Sequence, residues 1–438
     1  MRVALVNPPW SFDGSIYFGC REPHLPLELG YTRALLEALG HEARLFDAQL
    51  SGADLASLTT AVEAFRPDMT VLTTAPSYLF WRCAPPELRV PMQTARALRP
   101  HTERLVAVGP HASTTPRAVL RKLGADVVVL GECEEVLIKL VEAGGRADAT
   151  LDAVAYVADS TGADPELIVQ GKPASVDMRQ LPALRWQPGE VAAHRHHHHR
   201  FDSAPSGPGA EMEVSRGCPY ACTFCAKENF RNRYRKRTLD VVLDELDALI
   251  AAGARYVYFI DEIFLPDREL LEALAQREIE FGVQLRIDNW STDMLTLLGQ
   301  AGCVSIEAGV ESITPDGRRL LNKRCKLSTD GLTALLIHAK QGVPFVQANL
   351  IGTSDDRQDV AAWRAVLSRH GVWSNEPVPL FPYPGSPEYR LRWGALDDMA
   401  WERAHDQYLK DTSGFSDIQD QRPMPLPVLE LSGLEAAR

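Results

Sequence analysis

Short apolar runs alternate with longer amphipathic stretches along the first 145 residues of the chain. The apolar runs predict five strands, with the sequences RVALVN, EARLFD, MTVLTT, RLVAVG and DVVVLG. In the stretches between them, apolar residues recur every three or four positions, and Gly40 follows the first stretch as a helix C-cap. This alternation predicts a doubly wound, Rossmann-like α/β domain, which binds ligands beyond the carboxyl ends of its strands.

The regular pattern fades over residues 146–207 and resumes near Met212. The fading segment contains PSGPG and HRHHHHR and is interpreted as a linker. Residues 208–375 then offer six strand candidates, MEVSRG, RYVYFID, VQLRIDN, CVSIEAGV, VPFVQANLIG and VWSNEPVPLF, separated by helical segments. A full barrel needs eight strand–helix units, so a partial (β/α)6 barrel is predicted. The proline-rich segment 376–438 is expected to extend over the barrel mouth.

Length and charge narrow the class of protein. A chain of 438 residues exceeds one ordinary core and predicts two or three domains. Acidic residues outnumber basic ones by 58 to 46, and the net charge of −12 argues against a nucleic-acid partner. No apolar run reaches the roughly 18 residues that a membrane span needs. The strand-like start is not a signal peptide, so a cytoplasmic location is predicted, with cysteines as thiols or ligands.

Three cysteines stand close together in the segment SRGCPYACTFCAKENF. Cys218, Cys222 and Cys225 are spaced C-x3-C-x2-C and directly follow the first predicted barrel strand, at the end where catalytic groups collect in such barrels. Buried core thiols are disfavoured, because Gly217, Pro219 and Tyr220 are typical of a loop. A zinc site completed by His198 or His199 is one alternative.

The other alternative is a cubane iron–sulfur cluster. Such a cluster normally takes four thiolates, one on each iron. With three cysteines one iron keeps an open position, which is useless for electron transfer alone but suits a cluster that binds a substrate.

The cysteine motif, with Phe224 before its last cysteine, resembles that of the radical S-adenosylmethionine (SAM) enzymes. The resemblance implies that Cys218, Cys222 and Cys225 hold a 4Fe–4S cluster whose open iron binds SAM. It also implies an external electron donor of the flavodoxin or ferredoxin type, and a radical that abstracts hydrogen from the substrate.

Polar residues at other predicted strand ends agree with this resemblance. Carboxylates there are suitable acceptors for the ammonium and ribose hydroxyls of SAM. Taken alone, each acid is equally typical of a solvated strand end, and that interpretation stays open for Asp288 and Glu307. The contacts to SAM that the resemblance implies are Asp261, Glu262, Arg286, Glu311 and Ser312.

Four segments of the front domain together resemble the cobalamin-binding domain that precedes many radical SAM barrels. They are VNPPW, LPLELGYTRALLEALGHE, GPHAS and DVVVLGECEE. The resemblance implies that cobalamin lies over the strand ends of residues 1–145. The residues expected to contact it are Asn7, Pro8, Thr74, Ser77, Gly109, Pro110, His111, Gly131 and Glu132.

Many cobalamin proteins carry a D-x-H-x-x-G motif whose histidine binds cobalt from below. Here DAQLSG matches that frame as Asp47, Gln49 and Gly52, although it follows the second strand and not the first. An amide is a poorer cobalt ligand than an imidazole. We therefore predict that histidine is not the lower ligand of cobalt.

The internal histidine run and the other cysteines have no assigned role. His194 and the run 196–199 are interpreted as part of a mobile linker, with metal binding or contact with an acidic substrate as alternatives. Cys303 is expected in the core. No partner at metal-ligand spacing is present for Cys20, Cys83, Cys133, Cys303 and Cys325.

These features predict a cobalamin-dependent radical SAM enzyme that methylates an unactivated carbon of a small molecule or natural product. A rearrangement, cyclisation or epimerisation assisted by cobalamin is the first alternative, and a non-catalytic zinc-binding protein is the second. No phosphate loop or nucleotide fingerprint identifies the substrate.

Overall fold

The computed structural model describes residues 1–11, 23–76, 88–158, 166–193 and 207–411. The chain forms two compact units. The N-terminal unit comprises Met1–Leu184, Ala226–Asn232 and Phe381–Arg438, and the barrel unit comprises Arg185–Cys225 and Arg233–Leu380. Several residues singled out in the sequence lie outside the described ranges, namely Cys20, Ser77, Cys83 and the histidine run 194–200.

The N-terminal unit contains, in its described part, a seven-stranded sheet of order β2-β1-β3-β4-β5-β6-β7. The first five strands in this order are parallel, as the doubly wound prediction requires, and the last two pairings are antiparallel. The strands are β1 (Arg2–Asn7), β2 (Glu42–Asp47), β3 (Met69–Thr73), β4 (Arg104–Val108), β5 (Val127–Val129), β6 (Val154–Val157) and β7 (Leu167–Gln170).

Helices cover this sheet because its strands are apolar on both faces. In β1, Val3 and Leu5 belong to one core cluster, whereas Ala4 and Val6 belong to a second. All four side chains are fully buried, so a helical layer packs on each face. The helices are α1 (Leu27–Ala38), α2 (Ala48–Ser51), α3 (Leu55–Phe65), α4 (Arg89–Leu98), α5 (Pro110–Thr114), α6 (Pro116–Leu123) and α7 (Glu134–Glu142).

The barrel unit is built on six parallel strands in the order β15-β14-β13-β12-β11-β8, which confirms the partial (β/α)6 barrel. These strands are β8 (Gly209–Met212), β11 (Tyr256–Phe259), β12 (Glu280–Leu285), β13 (Cys303–Glu311), β14 (Phe345–Leu350) and β15 (Trp373–Ser374). A two-stranded antiparallel ribbon, β9 (Ser215–Arg216) with β10 (Arg235–Lys236), follows the first of them. The helices are α8 (Pro188–Ala193), α9 (Leu239–Ala251), α10 (Arg268–Leu274), α11 (Thr292–Gln300), α12 (Pro315–Leu320), α13 (Thr329–Gly342) and α14 (Arg357–Arg369).

The first barrel strand begins and ends earlier than predicted. The sequence places it over 212–217, but β8 ends at Met212. The residues after it leave the barrel sheet because Ser215 and Arg216 pair with the ribbon strand β10. The cysteine loop is therefore held by this ribbon and does not follow the barrel strand directly.

The interpretation of 146–207 as an irregular linker is wrong for its first half. The strands β6 and β7 extend the sheet of the N-terminal unit, and that unit continues to Leu184. Each of these strands has only four residues, so its stability comes from pairing with its neighbours more than from its own sequence.

The described part of the predicted C-terminal extension belongs mostly to the N-terminal unit. It contains α15 (Pro387–Trp393) and α16 (Ala400–Asp411). Lys122 of α6 forms an ion pair with Glu402, and Arg121 forms one with Asp398. Its placement over the barrel mouth stays a prediction.

Candidate functional site

The cysteine loop begins at a glycine that no other residue could replace without rearrangement. Gly217 has φ +79°, and a Cβ atom there would lie 2.1 Å from the carbonyl oxygen of Arg233. Its backbone N–H donates to Glu262 Oε2 at 2.7 Å. The predicted SAM ligand Glu262 therefore fixes the start of the loop that carries Cys218.

An arginine at the end of β12 orders the middle of the loop. The guanidinium carbon of Arg286 lies 3.8 Å from the ring centroid of Tyr220, between the first two cysteines. The Tyr220 hydroxyl donates to Asn289 Oδ1 at 2.5 Å. Arg286 also donates to Asp288 Oδ2 at 2.7 Å and to the carbonyl oxygen of Lys323 at 2.5 Å. The Asp288 side chain is therefore a buried partner of Arg286 in an ion pair and not part of a solvated strand end.

A second loop, residues 321–323, contacts and supports the cysteine loop, and no local sequence pattern indicates this role. The backbone N–H of Thr223 donates to the carbonyl of Leu321 at 3.0 Å, and Asn322 Nδ2 donates to the carbonyl of Ala221 at 2.6 Å. Lys323 is almost fully buried, and its Nζ donates to Glu311 Oε1 at 3.0 Å and to the Gly309 carbonyl at 2.8 Å. A lysine between polar neighbours is not distinctive in sequence.

The three thiols lie half-buried on this braced loop. Burial raises the pKa of the Cys222 thiol, nearby Lys323 lowers it, and Glu311 raises it further. The cations Lys323 and Arg286 favour the thiolate that an iron ligand requires. Three thiols on one loop, with cations beside them, suit a cluster that takes one thiolate on each of three irons.

A mononuclear zinc site is not formed by the described side chains. Zinc needs its ligand atoms at about 2.0–2.3 Å from one ion. Within the described ranges, no group of three or more His, Cys, Asp or Glu side chains is arranged to hold a single ion. The candidate fourth ligands, His198 and His199, lie outside the described residues.

Asp261 is buried at the end of β11 and holds the segment between β8 and the ribbon. Its carboxylate accepts from the backbone N–H of Val214 at 3.1 Å and from the Ser215 hydroxyl. Burial raises the pKa of Asp261 to about 7, against these hydrogen bonds, and the nearby Glu213 raises it as well. The carboxyl group of Asp261 therefore loses its proton near pH 7 in the folded protein.

Arg286 Nη1 and Glu311 Oε2 are buried near the cysteine loop and have no hydrogen-bond partner among the described residues. Glu311 also has φ +66°, an unfavourable backbone conformation for a glutamate. Buried polar groups normally have partners, so a free guanidinium N–H and a free carboxylate oxygen fit the carboxylate and the ammonium of an amino acid such as SAM.

Ser312 has a different environment from the one that the resemblance implies. Its hydroxyl contacts both carboxylate oxygens of Asp355, at 2.9 and 2.7 Å. Asp355 also accepts from the Thr314 hydroxyl at 2.6 Å. Ser312 is fully buried in this turn before α12, so its described contacts are internal to the fold.

The end of β3 in the N-terminal unit presents buried hydroxyls. The backbone N–H of Thr74 donates to the carbonyl of Val108 on β4, at 2.9 Å. The hydroxyls of Thr73 and Thr74 are buried and have no hydrogen-bond partner among the described residues. Donors of this kind fit the amide-rich edge of a corrin at the predicted end of the sheet.

A serine joins two of the predicted cobalamin loops. The Ser113 hydroxyl donates to the carbonyl of Gly109 at 2.9 Å and accepts from the N–H of Gly131 at 2.8 Å. Gly131 has φ +82°, and a Cβ there would lie 2.4 Å from backbone atoms of Ala174. The neighbouring Glu132 accepts from the N–H of Val176 at 2.7 Å, so its side chain connects this loop to the segment at Val176.

The side chain of Asn7 connects β1 to the helix after β2. Asn7 Nδ2 donates to Asp47 Oδ1 at 2.8 Å, and Asp47 also caps α2 by accepting from the N–H of Leu50. Pro8, in the same turn, accepts from the N–H of Trp10 at 2.9 Å. The D-x-Q-x-x-G frame thus forms the short helix α2, ended by Gly52 in the left-handed conformation.

One residue from the C-terminal segment meets the predicted cobalamin loops and is absent from the sequence-based set. The Trp401 ring lies against that of His111, which is fully buried beside Pro110 at the start of α5. Trp401 also packs on Ala75 in the loop after β3. A tryptophan 290 positions after His111 gives no local signal of this contact.

Comparison with known families agrees with these two sites. The sequence profile of the Radical SAM superfamily matches residues 212–351, and that of the B12 binding domain matches residues 20–141. The chain therefore contains a radical SAM domain. It carries a B12-binding domain ahead of its radical SAM domain.

Several proteins are similar over most of the chain. An uncharacterized methyltransferase of Pyrococcus horikoshii is 23% identical over 92% of this chain and 86% of its own length. The hopanoid C-3 methylase of Methylococcus capsulatus is 27% identical over 89% of this chain and 72% of its own. The anaerobic magnesium-protoporphyrin IX monomethyl ester cyclase of Cereibacter sphaeroides is 25% identical over 87% and 63%.

Two solved structures share the fold. The radical SAM methyltransferase TsrM from Kitasatospora setae, with tryptophan substrate and a SAM analogue, superposes with a TM-score of 0.67 at 18% identity, over 90% of this chain and 76% of TsrM. The cobalamin-dependent SAM radical enzyme OxsB, with aqua-cobalamin and SAM bound, gives 0.68 at 15% identity, over 95% and 67%.

The predicted family, fold class and enzyme class are therefore confirmed. This pair of domains is typical of enzymes that use a 4Fe–4S cluster, SAM and cobalamin. The family match overturns the alternative of a non-catalytic zinc-binding protein. No helix within the described ranges is both long and apolar enough to cross a bilayer.

Proposed function

We propose that the protein is a cobalamin-dependent radical SAM methyltransferase that methylates an unactivated carbon of a small molecule. The observation that carries the proposal is the presence, in one chain, of a B12-binding domain and of a braced three-cysteine loop beside the barrel strands. Relatives named as a methyltransferase and a methylase cover 92% and 89% of the chain. Residues 1–145 are proposed as the cobalamin-binding domain and 208–375 as the radical SAM barrel.

Cys218, Cys222 and Cys225 are proposed as the ligands of the 4Fe–4S cluster. When bound, the cluster and SAM supply a one-electron route to hydrogen abstraction, and cobalamin supplies a methyl group. The residues around the loop hold it in place. Because Gly217 has no Cβ, the loop can pass close to the carbonyl oxygen of Arg233. Tyr220 is held in place by stacking on Arg286.

Arg286 and Glu311 are proposed to bind SAM directly. The unpaired Nη1 of Arg286 suits the SAM carboxylate, and the unpaired Oε2 of Glu311 suits its ammonium group. Lys323 holds Glu311 through the other carboxylate oxygen. Asp261, Glu262 and Ser312 are proposed near the same ligand, but their described side-chain contacts are with the protein.

Cobalamin is proposed to lie over the strand ends of the N-terminal unit. The buried hydroxyl of Thr74 would donate to it, together with backbone groups of the loops at Gly109 and Gly131. The predicted contact set also includes Asn7, Pro8, Ser77, Pro110, His111 and Glu132.

An external one-electron donor of flavodoxin or ferredoxin type is proposed as a partner. Beyond the three loop cysteines, the described thiols of the barrel unit are Cys303 and Cys325, too few for a second cubane. A cytoplasmic location, which would keep the thiols reduced, stays a prediction.

Isotope labelling tests the proposed reaction. The reduced holoenzyme is incubated under anaerobic conditions with SAM deuterated in its methyl group and with candidate substrates drawn from the host cell extract. Methylation predicts a product heavier by one labelled methyl group, with both S-adenosylhomocysteine and 5′-deoxyadenosine formed. A product without the label overturns methyl transfer.

A cobalamin-assisted cyclisation or other rearrangement is the second candidate, because one relative is named as a cyclase. It predicts 5′-deoxyadenosine together with an unlabelled isomeric or dehydrogenated product, and no S-adenosylhomocysteine. The same experiment therefore separates the two functions.

A further inference from the structure

The two faces of the barrel sheet differ in chemistry. On β12, β13 and β14 one face is apolar and at most 2% exposed, and its residues are Val283, Leu285, Ile306, Ala308, Val346 and Ala348. The opposite face carries Arg286 and Glu311 at its end. Because parallel crossovers place their helices on one side, the apolar face is the helix-covered one and the polar face is the concave inner one.

Three polar side chains form a row across this inner face. The strand register places Gln284 opposite Glu307, and Glu307 opposite Gln347. Asn349 stands two residues further along β14, on the same face, and accepts a hydrogen bond from Gln347. Parallel strands covered on both sides are normally apolar on both faces, so this row is unusual for a purely structural sheet.

The row contains a buried acceptor that the fold does not use. Gln284 Oε1 is buried and has no hydrogen-bond partner among the described residues. Leaving such a buried group unpaired has a cost in free energy. A ligand that donates hydrogen bonds here would remove that cost, whereas an apolar ligand would leave it in place.

The adjoining part of the inner face is also polar. The register aligns Glu211 with Tyr258, both about 1% exposed, and Tyr258 with Gly282. A Cβ on Gly282 would lie 2.2 Å from the Tyr256 hydroxyl, which therefore crosses the inner face above this glycine. Burial raises the pKa of Tyr256 well above its usual value, and Glu307 and Glu211 contribute to the shift. Both carboxylates thus lie near the tyrosine hydroxyl.

We propose that this inner face binds the substrate, and that the substrate is a hydrophilic small molecule that presents hydrogen-bond donors to Glu307, between Gln284 and Gln347. An ammonium group is the first choice, because an ionised carboxylate accepts but cannot donate and its hydrogen bonds to cations are the stronger ones. Hydroxyl groups supply the same donors more weakly. The inference rests on the proposed function and narrows it, since an apolar polycyclic lipid would leave Gln284 Oε1 without a hydrogen-bond donor.

Ligand-observed NMR on the anaerobic holoenzyme tests the proposal with three probes of similar size. They are cyclohexylammonium, inositol and cyclohexanecarboxylate, measured on the wild type, on Glu307→Gln and on Gln347→Leu. Glu280→Gln is the matched control, because Glu280 lies exposed at the opposite end of β12. Iron and cobalamin contents verify that each variant folds. Release of 5′-deoxyadenosine by the wild type tests the proposed function separately.

Cyclohexylammonium is expected to bind the wild type and Glu280→Gln equally, and at least tenfold more weakly to Glu307→Gln. Gln347→Leu is expected to weaken it less. Binding of inositol in place of the ammonium, with the same dependence on Glu307, supports hydroxyl donors as the source. Preference for the carboxylate, or binding of neither donor probe in a Glu307-dependent way, overturns the proposal even where SAM cleavage is intact.

Discussion

The rings of His111 and Trp401 lie with their centroids 4.3 Å apart and their planes inclined by 37°. This contact brings a residue of α16 to the start of α5, where the sequence predicts a cobalamin loop. Trp401 is 6% exposed, and its Nε1 is buried without a hydrogen-bond partner among the described residues. The C-terminal segment therefore supplies an unused donor next to the expected corrin position.

Replacing this donor is expected to weaken cobalamin binding. Trp401→Phe keeps most of the ring but removes the N–H, so affinity for hydroxocobalamin should fall roughly tenfold, as the loss of one hydrogen bond of about 1 kcal/mol or slightly more predicts. Absorbance titration of the apoprotein measures it. Trp393→Phe is the control, because the Trp393 ring packs on Tyr389. Equal affinity of Trp401→Phe and wild type for hydroxocobalamin would show that the Trp401 N–H makes no hydrogen bond to cobalamin.

The cluster assignment predicts the loss of iron–sulfur chemistry in three single variants. Replacing Cys218, Cys222 or Cys225 by Ala should remove the visible iron–sulfur absorption and reduce 5′-deoxyadenosine release to background, because each thiolate holds one iron. Cys303→Ala is the control, since Cys303 is a buried core thiol with 1% exposure. SAM cleavage that persists in all three variants would show that the loop holds no cluster.

The lower face of cobalt is expected to lack a histidine. Gln49 occupies the histidine position of the motif and lies on the short helix α2. The electron paramagnetic resonance spectrum of the holoenzyme in its cob(II)alamin form should therefore show no splitting from an imidazole nitrogen. A clear splitting contradicts the prediction, and its disappearance in His111→Phe would identify the ligand.

The buried pair of Lys323 and Glu311 is expected to matter for stability. Lys323→Met leaves the Glu311 carboxylate, 14% exposed in its side chain, without its cation, and breaking such a pair costs about 3–5 kcal/mol. Urea unfolding of the apoprotein measures this loss. The double variant with Glu311→Gln should recover part of it.

An exposed ion pair of similar chemistry serves as the control for that measurement. Arg319 and Asp316 are 74% and 76% exposed in their side chains, so Arg319→Met should change the unfolding free energy by less than about 1 kcal/mol. Similar losses in Arg319→Met and Lys323→Met would show that burial of the Lys323 pair has no special effect.

Asp261 predicts a pH dependence of stability. Its pKa is raised from 3.8 to about 7 by burial, so the folded chain holds this proton more tightly than the unfolded chain. Its contribution to the unfolding free energy must therefore fall as the pH rises from about 4 to 7, by on the order of 1.4 kcal/mol per pH unit. Asp261→Asn removes this slope. In urea unfolding of the apoprotein, the unfolding free energy of the variant relative to the wild type should therefore increase as the pH rises from about 4 to 7.

Asp247→Asn provides the opposite case. The hydrogen bonds from Arg277 lower the pKa of exposed Asp247, so this group cannot produce a loss of stability on raising the pH. If Asp261→Asn and wild type follow parallel curves, Asp261 is already ionised in the folded protein at low pH.

Local sequence patterns predict the order of elements well, and they fail where stability comes from neighbours. The runs RVALVN and EARLFD coincide with β1 and β2, because each is long and apolar enough to identify itself. The four-residue strands β6 and β7 are missed because pairing decides them, of β6 with β5 and of β7 with β6. The first barrel strand is placed late because Ser215 and Arg216 continue an extended pattern that pairs with β10.

The candidate site divides in the same way. Cys218, Cys222 and Cys225 can be identified by spacing alone, since a metal cluster requires several thiolates within a short segment. Glu262 and Arg286 can be placed at strand ends. That Glu262 holds Gly217, and that Arg286 stacks on Tyr220, depends on strands brought side by side in the sheet.

The sequence by itself determines the cysteine spacing, the strand–helix alternation and hence the family, because all of these lie within windows of one or two elements. The tertiary structure alone decides that Lys323 neutralises Glu311, that Trp401 reaches His111, and that Gln284, Glu307 and Gln347 form one row. The physical reason is that these contacts join residues far apart in the chain. Their geometry is set by sheet register and by the packing of buried side chains, neither of which leaves a periodic signal in the local sequence.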